Sequence, residues 1–252
     1  MDFGLDVLVL LFLIAVLAGW VDVIAGGGGL LTIPVLMLFG IPPAAAMATN
    51  KLQGSMGTLT ASIYFIRKGA VNFHEIKLLI VMTFVGSLFG AWLILRMNPE
   101  QLVIYIPLLL ILMGLYFLFS PHIDDQDRRQ KISRTGFALL ICPLLGFYDG
   151  FFGPGTGSFM ALAFVLLCGY NLAKATAHAK ILNFTSNISS LMYFMVYGDI
   201  VWEVGLVMML GQFIGAISGA KMVLTRGTAI IKPIVVTVCF LMSANILIRS
   251  YW

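Results

Sequence analysis

Charged residues are scarce in this 252-residue chain, in which aspartate, glutamate, lysine and arginine together make up 10% of the sequence. A soluble domain carries roughly 25% charged residues and cannot cover the apolar surface that a 60% hydrophobic composition brings. Several apolar stretches also run to about 20 residues, the length that an α-helix needs to cross a bilayer. The composition therefore excludes a soluble protein and predicts an all-α, polytopic protein embedded in a lipid bilayer.

Several signals of other functions are also missing. The three cysteines, Cys142, Cys168 and Cys239, stand singly in apolar runs with no CxxC pair, which predicts that they pack in the core. His74-Glu75 is not followed by the second histidine of a zinc protease, and the chain has no GxxxxGK[ST] loop for ATP-driven transport. The net charge of +4 is explained by lysine and arginine held at the cytoplasmic face. We therefore expect no nucleic-acid partner, no metal and no cofactor.

What the chain does contain is a pair of glycine-rich segments about half a chain apart. The first runs Asp22-Val-Ile-Ala-Gly26-Gly27-Gly28-Gly29, and the second runs Asp149-Gly-Phe-Phe-Gly153-Pro154-Gly155-Thr156-Gly157-Ser158. Glycine tolerates unusual backbone angles and lets a ligand approach the main chain closely. Unwound backbone is tolerated at membrane depth only where it is buried in protein or lines a wet cavity. The two segments therefore indicate a central site.

The apolar pattern predicts five helical elements in the first half of the chain. They span about residues 6–25, 30–39, 43–66, 78–95 and 99–120. The second element, at about ten residues, is too short to cross an average bilayer upright, so we expect a half-helix or a strongly shortened one. The polar segment 121–134, with its mixed charges, predicts a cytoplasmic linker. The expected units are a first repeat (1–120), this linker and a second repeat (135–252).

The second half of the chain repeats the first in order and spacing. Matching positions are Gly19 and Gly146, Asp22 and Asp149, Lys51 and Lys180, Gly69 and Gly198, Gly86 and Gly215, and Gly90 and Gly219. Apolar composition alone does not produce matches that are spread so widely along two halves. We therefore interpret the halves as structural repeats.

The charges of equivalent turns have opposite signs in the two repeats. Arg67 and Lys68 follow the lysine-bearing helix of the first repeat, whereas Asp199 and Glu203 follow that of the second. The positive-inside rule then places these turns on opposite sides of the membrane and the basic linker in the cytoplasm. The repeats are therefore expected to be inverted, with both termini outside. If the short elements cross the membrane, the chain crosses it ten times, and if they re-enter, six times.

Inverted repeats with broken helices at matching positions are typical of secondary transporters, whose site lies at the repeat interface. Helix N-termini at the breaks attract anions through their unpaired N–H groups and their dipole. Lys51 and Lys180 lie about two turns inside their helices, where each needs a partner or an anionic ligand. We therefore expect a small anionic substrate. The candidate substrate-binding residues are Gly26, Gly27, Gly28, Gly29, Thr49, Asn50, Lys51, Gly153, Gly155, Gly157, Ser158, His178, Lys180 and Asn183.

Each candidate also has a purely structural interpretation. The lysines could pair with Asp149 and Asp22 across the repeat interface and lock the fold. Asp22 and Asp149 could bind a coupling proton or sodium ion, or could accept hydrogen bonds from the glycine-rich segments. His178, at the position of Thr49, could titrate during transport or stay a buried, neutral, hydrogen-bonded side chain. The glycines could serve helix packing alone.

At these residues the chain resembles the sulfite exporter TauE/SafE family of bacterial inner-membrane transporters, and within it the YfcA-like branch. The resemblance is carried by residues 25–34, by Ala48-Thr49-Asn50-Lys51, and by residues 146–154 and 174–180, and it covers nearly the whole chain except the linker and the last few residues. It implies a multi-pass protein of the bacterial inner membrane that moves sulfur-containing anions such as sulfite, thiosulfate or organosulfonates. Members of the family differ in substrate and in direction.

Two other functions would use the same features. An anion channel would also place positive helix ends at a central site, and saturable flux that depends on a proton gradient would exclude it. A membrane-embedded enzyme is a weaker alternative, because no serine–histidine pair stands at repeat-related positions. The leading interpretation is a secondary transporter that works by alternating access, not an enzyme. A homo-oligomer is compatible with the sequence.

The inverted arrangement predicts a labelling pattern. Single cysteines at Lys68 and Asp199, in a background without the native cysteines, should react with a membrane-impermeant thiol reagent from opposite sides of the membrane, because the two turns face opposite compartments. The measurement compares labelling of intact cells with labelling of inside-out vesicles. Labelling of both positions from the same side would contradict the inverted repeat.

Overall fold

The computed structural model describes residues 3–119 and 129–223, and the regular elements in these ranges are all helices. They are α1 (Leu5–Ala25), α2 (Gly28–Leu38), α3 (Pro43–Arg67), α4 (Phe73–Ile94), α5 (Pro99–Phe119), α6 (Arg134–Gly136), α7 (Cys142–Phe151), α8 (Thr156–Ala163), α9 (Leu172–Tyr197) and α10 (Trp202–Val223). Two π-helical segments join α6 to α7 and extend α8, at Phe137–Ile141 and Phe164–Cys168. Most of the predicted linker, Cys239 and residues 224–252 of the predicted second repeat lie outside the described residues.

The prediction of an all-α, polytopic membrane protein is confirmed. Among the described residues, α1, α10 and Glu75–Ile94 of α4 are long and apolar enough to cross a membrane. Their outer faces carry large apolar side chains such as Leu13, Phe89 and Leu210, which are 57%, 62% and 62% exposed. Apolar surface of this extent marks contact with lipid, because a soluble monomer rarely exposes contiguous apolar patches.

Helix boundaries follow from glycine and proline at the expected places. Gly26 adopts a left-handed conformation with φ 62°, which ends α1, and its N–H donates to the main-chain oxygen of Asp22 at 2.6 Å. Pro43 occupies the first turn of α3, where its missing N–H would have had no partner inside the helix. α4 begins at Phe73, earlier than predicted, because polar residues in its first turns continue the helix beyond the apolar stretch.

α2 and α8 are the short elements that the sequence predicts after each break. α2 has 11 residues, and at a rise of about 1.5 Å per residue it spans roughly 16 Å, about half of a bilayer core. α8 and its π-helical extension together run from Thr156 to Cys168, or about 20 Å by the same rise. Neither element is long enough to cross a bilayer upright. The number of membrane crossings stays a prediction.

The two halves of the chain are interleaved rather than side by side. α1 of the first half packs along α10 of the second, and α4 of the first half packs along α7 of the second. α3 and α9, which carry the two lysines, pack against each other. In the repeat that the sequence predicts, α1 matches α7 and α4 matches α10. The α1–α10 contact and the α4–α7 contact are therefore equivalent under that repeat. The core therefore draws on both halves.

Glycines at these crossings let the helix backbones touch. A methyl group on Gly86 of α4 would lie 2.8 Å from the Cα of Pro143, at the start of α7. A methyl group on the matching Gly215 of α10 would lie 2.8 Å from the main-chain nitrogen of Trp20 in α1. Neither position has room for a side-chain carbon, so both glycines serve close helix packing, as small residues do in membrane proteins.

Gly86→Ala should destabilise the protein by about 1–3 kcal/mol, because the added methyl group forces α4 and α7 apart. Gly54→Ala is the matched control in α3, where a methyl group would meet the side-chain amide of Asn187 at an ordinary distance of 3.6 Å. The control should equal or exceed the wild type in stability, since alanine favours a helix over glycine by up to about 1 kcal/mol. Thermal unfolding of the purified protein in detergent measures both. Equal melting temperatures for the two variants would contradict close packing at Gly86.

Candidate functional site

A polar cavity lies between the two glycine-rich breaks, and both halves of the chain line it. Its volume is about 20 Å³, which is enough for about one water molecule. The lining residues are Asp22, Gly26, Gly28, Gly29, Asn50, Lys51, Gly54, Asp149, Gly153, Asn183, Asn187 and Gln212. The structure thus brings together many of the residues that the sequence predicts for the site, and it adds Gly54, Asn187 and Gln212.

Lys51 reaches the cavity from α3 and pairs with the other half of the chain. The residue is only 2% exposed, and its Nζ lies 3.0 Å from Oδ1 of Asp149. Nζ also donates to the side-chain oxygen of Asn187 at 3.1 Å. A buried ammonium is strongly disfavoured unless it is paired and hydrogen-bonded. The carboxylate and the amide oxygen together satisfy it at the cavity wall.

Lys180 makes the reciprocal ion pair with Asp22 but does not line the cavity. Its Nζ lies 2.9 Å from Oδ2 of Asp22 and also donates to the main-chain oxygen of Asp22, near the C-terminal end of α1. Oδ1 of Asp22 accepts the N–H of Gly28, the first residue of α2, at 3.2 Å. The ammonium thus stabilises the end of α1 and the carboxylate stabilises the start of α2, in agreement with the helix dipoles. Both lysine–aspartate ion pairs of the structural interpretation are therefore present.

Asparagine side chains at the cavity are held in fixed orientations. Oδ1 of Asn50 accepts from the hydroxyl of Thr32 at 2.6 Å, and Oδ1 of Asn183 accepts from the Asn187 amide at 2.9 Å. With its oxygen engaged, Asn50 turns its NH₂ group toward α2, since a methyl group on Gly29 would lie 3.4 Å from that nitrogen. The asparagines therefore add neutral hydrogen-bond donors to the cavity wall.

The groups around the cavity suit an oxyanion better than a metal. Within residues 3–119 and 129–223, no three histidine, cysteine, aspartate or glutamate side chains converge as metal ligands would. The cavity wall instead combines the Lys51 ammonium, side-chain amides and the first turn of α2 with two carboxylates, Asp22 and Asp149, each paired with a lysine. The N–H groups and the dipole of a helix N-terminus favour negative charge.

Thr49 and His178, two predicted site residues, lie away from the cavity. The hydroxyl of Thr49 accepts the main-chain N–H of Val201 at 3.0 Å, so it ties α3 to the turn before α10. His178 is 5% exposed, its Nδ1 lies 2.8 Å from the main-chain oxygen of Lys174, and its ring packs against two aromatic rings. The position of His178 therefore matches its structural interpretation.

Four further predicted residues also lie off the cavity wall, where they shape the two breaks: Gly27, Gly155, Gly157 and Ser158. The hydroxyl of Ser158 donates to the main-chain oxygen of Ala25, the last residue of α1. A methyl group on Gly157 would lie 2.6 Å from the Cα of Gly26, so the backbones of the two breaks are in contact. These residues position the site without facing its interior.

Sequence reasoning missed Asn187 and Gln212 as cavity residues. Both are amide side chains, 6% and 2% exposed, in helices of a membrane protein. Polar groups inside membrane helices face the protein interior or a water-filled space. Asn187 also follows Lys180 by seven residues, which places both on one helix face together with Asn183. That spacing is the signal that could have found Asn187.

Asp22→Asn should lower the stability of the protein by about 3–5 kcal/mol, because it leaves the Lys180 ammonium buried without a charged partner. The double variant Asp22→Asn/Lys180→Gln should recover part of the loss, since both buried charges are then removed. Thermal unfolding in detergent measures each variant. A double variant no more stable than Asp22→Asn would contradict a role for the ion pair.

Glu75→Gln is the control for a charge pair near the surface. Glu75 and Arg134 lie 2.5 Å apart, but their side chains are 41% and 51% exposed, so solvent screens the pair. Loss of the Glu75–Arg134 pair should lower the free energy of unfolding by about 1 kcal/mol or less.

Comparison with known proteins finds relatives that match along both halves of the chain. The sequence profile of the family described as "Sulfite exporter TauE/SafE" matches residues 11–246. A "Probable membrane transporter protein" of Haemophilus influenzae is 50% identical over 252 residues, which is 100% of this chain and 99% of the relative. The "Probable membrane transporter protein YfcA" of Escherichia coli strain K12 is 52% identical over 241 residues, which is 96% of this chain and 90% of the relative. The "Probable membrane transporter protein ORF9" of a Sinorhizobium species is 43% identical over 246 residues, 98% of this chain and 94% of the relative.

Proposed function

Since this chain belongs to the sulfite exporter TauE/SafE family, we propose that it is a secondary transporter of small sulfur-containing anions, such as sulfite, thiosulfate or an organosulfonate, in the bacterial inner membrane. The relatives are named as probable membrane transporters, and the names state no substrate. The substrate class is therefore supported by the family description and by the donor groups of the cavity.

The observation that carries the proposal is the buried Lys51 ammonium at the wall of a polar cavity. Ionisable groups inside a membrane protein usually mark the path of a substrate or an ion. An ammonium that donates to an oxyanion makes a hydrogen bond roughly twice as strong as a neutral one. Lys51 lines the cavity and Lys180 does not, so we assign the anion to Lys51. Asn50 and the first turn of α2 are the neutral donors beside it.

We assign the described conformation to a closed form of the transporter. A cavity with room for about one water is too small for sulfite, so the site must widen to take up an anion. The exchanged packing of repeat-related helices supports two equivalent ways of opening, one toward each side of the membrane. Inverted repeats and alternating access around a fixed central site are parts of this proposal.

Lys51→Gln should weaken anion binding by roughly 10- to 150-fold, the equivalent of losing a charged hydrogen bond of about 1.5–3 kcal/mol. Sulfite or thiosulfate should raise the melting temperature of the wild type, because a ligand that binds only the folded state stabilises it. The same anions should leave the melting temperature of Lys51→Gln unchanged. Glutamine keeps the length and much of the hydrogen bonding of lysine, so this variant should fold.

Lys180→Gln is the matched control, with the same substitution in the repeat-related helix. Its melting temperature should start lower, but the shift caused by the anion should remain, because Lys180 does not line the cavity. A shift that survives in Lys51→Gln and is lost in Lys180→Gln would contradict the assignment of the anion to Lys51. A wild type that no sulfur-containing anion stabilises would contradict the substrate class.

A further inference from the structure

The two aspartates of the site differ in the partners of their carboxylate oxygens. Both oxygens of Asp22 are engaged, one by Lys180 and the other by the N–H of Gly28. Only Oδ1 of Asp149 is engaged, by Lys51, and Oδ2 has no hydrogen-bond partner among the described residues. Asp149 is 2% exposed and lines the cavity. A buried carboxylate oxygen without a hydrogen bond is strongly disfavoured, so Asp149 has the capacity for one further interaction.

The length of the first break explains why Asp22 is fully engaged. Only Gly26 and Gly27 separate α1 from α2. The start of α2 therefore lies beside the last turn of α1, and the N–H of Gly28 reaches back to the carboxylate. This is the arrangement in which a helix N-terminus stabilises an ionised acid.

The second break is longer, and the N–H groups of its first two residues donate to a main-chain oxygen. Residues 152–155 separate α7 from α8. The N–H groups of Phe152 and Gly153 both donate to the main-chain oxygen of Tyr148, at 2.8 and 3.2 Å. The N–H of Thr156 donates to the main-chain oxygen of Gly153 at 3.1 Å. Pro154 has no N–H to donate. None of these groups is therefore directed at Oδ2 of Asp149.

We propose that Asp149 is the proton-binding carboxyl of the site and that its protonation frees Lys51 for the anion, whereas Asp22 stays ionised as a brace of the first break. The inference rests on the proposed transport function. One proton from water forms an O–H bond at the Asp149 carboxylate, which becomes neutral, and Lys51 keeps its ammonium. The pair then carries one positive charge, which offsets negative charge on the bound anion.

The charges at the cavity wall explain why the anion and the proton are coupled. With Asp149 ionised, an anion on Lys51 would share the ammonium with a carboxylate that lies 3.0 Å from it. Two like charges in one poorly solvated site disfavour each other, and a carboxylate that loses its ammonium partner there is left unpaired. A proton on Asp149 removes the repulsion between like charges and leaves no unpaired carboxylate. The anion and the proton therefore each favour the binding of the other.

The other titratable groups on helices packed against α7 are distant or engaged. These groups are His74, Glu75 and Lys77 on α4, Cys168 at the end of the α8 extension, and Lys174, His178, Lys180, Tyr193 and Tyr197 on α9. α4 meets Gly150, the neighbour of Asp149, at Ser87, which is roughly 15 Å or more along the helix from its first turns. On α9, Lys180 is held by Asp22 and His178 packs among aromatic rings. The charged groups at the cavity wall are therefore Asp149, Lys51 and Asp22.

Lys51→Gln tests the proton site without any anion. Without the ammonium, Asp149 should take up a proton at neutral pH and show the carbonyl band of a protonated carboxyl group in infrared difference spectra. The band should be absent from Lys51→Gln/Asp149→Asn. It should also be absent from Lys180→Gln, the matched control, because Asp22 keeps the N–H of Gly28 as a partner. A spectrum of Lys51→Gln without the band, or an equal band in Lys180→Gln, would overturn the assignment.

Thiosulfate, which does not titrate near neutral pH, tests the coupling to the anion. Calorimetry in two buffers of different ionisation enthalpy should show that the wild type takes up about one proton for each thiosulfate bound, with affinity falling about tenfold per unit of rising pH. Asp149→Asn should bind thiosulfate independently of pH. Binding to the wild type without proton uptake would overturn the coupling. A wild type that binds no anion would contradict the proposed transport function instead, and the Lys51→Gln spectrum would still decide the proton site.

Discussion

Four charges between the two halves of the chain, three of them buried, set the conditions for the rest of the structure. Removing an ion from water costs several kcal/mol, and only close pairing with further hydrogen bonds offsets that cost. Each pair here crosses between the halves, Lys51 with Asp149 and Lys180 with Asp22. Neither half can bury its own charges without the other. The interleaving of α1 with α10 and of α4 with α7 is the packing that keeps both pairs closed.

The glycines make these pairs geometrically accessible. An aspartate near a helix end can meet a lysine in the middle of another helix only if the backbones come close and the chain turns sharply. Gly26 provides the turn with its left-handed conformation, and Gly86 and Gly215 allow the close approach of the outer helices. Repeat-related positions share these requirements, yet the breaks differ in length. That single difference leaves the two aspartates chemically unequal.

Much of the architecture could be predicted from the sequence because its signals are local. Apolar runs define the helices, Gly26 and Pro43 define helix ends, and lysines deep in apolar helices indicate an interior site. The individual side-chain partners could not be predicted in the same way. Repeat symmetry equated Lys51 with Lys180, but only Lys51 lines the cavity, because the first break is short enough for Asp22 to hold Lys180 beside it. Thr49 was assigned to the site from its position in the motif, yet its hydroxyl serves a turn that the sequence pattern does not connect to it.

The contact between the two breaks has a consequence for the leakage of ions across the membrane. The backbone of Gly26 lies against that of Gly157, and the hydroxyl of Ser158 holds the end of α1. The two breaks are therefore in direct contact, and a movement of one displaces the other. In the proposed transport cycle, the contact between the two breaks would therefore control the paths to both sides of the membrane. In that proposed cycle, opening one path would move the wall of the other, so the two paths would not be open to ions at the same time.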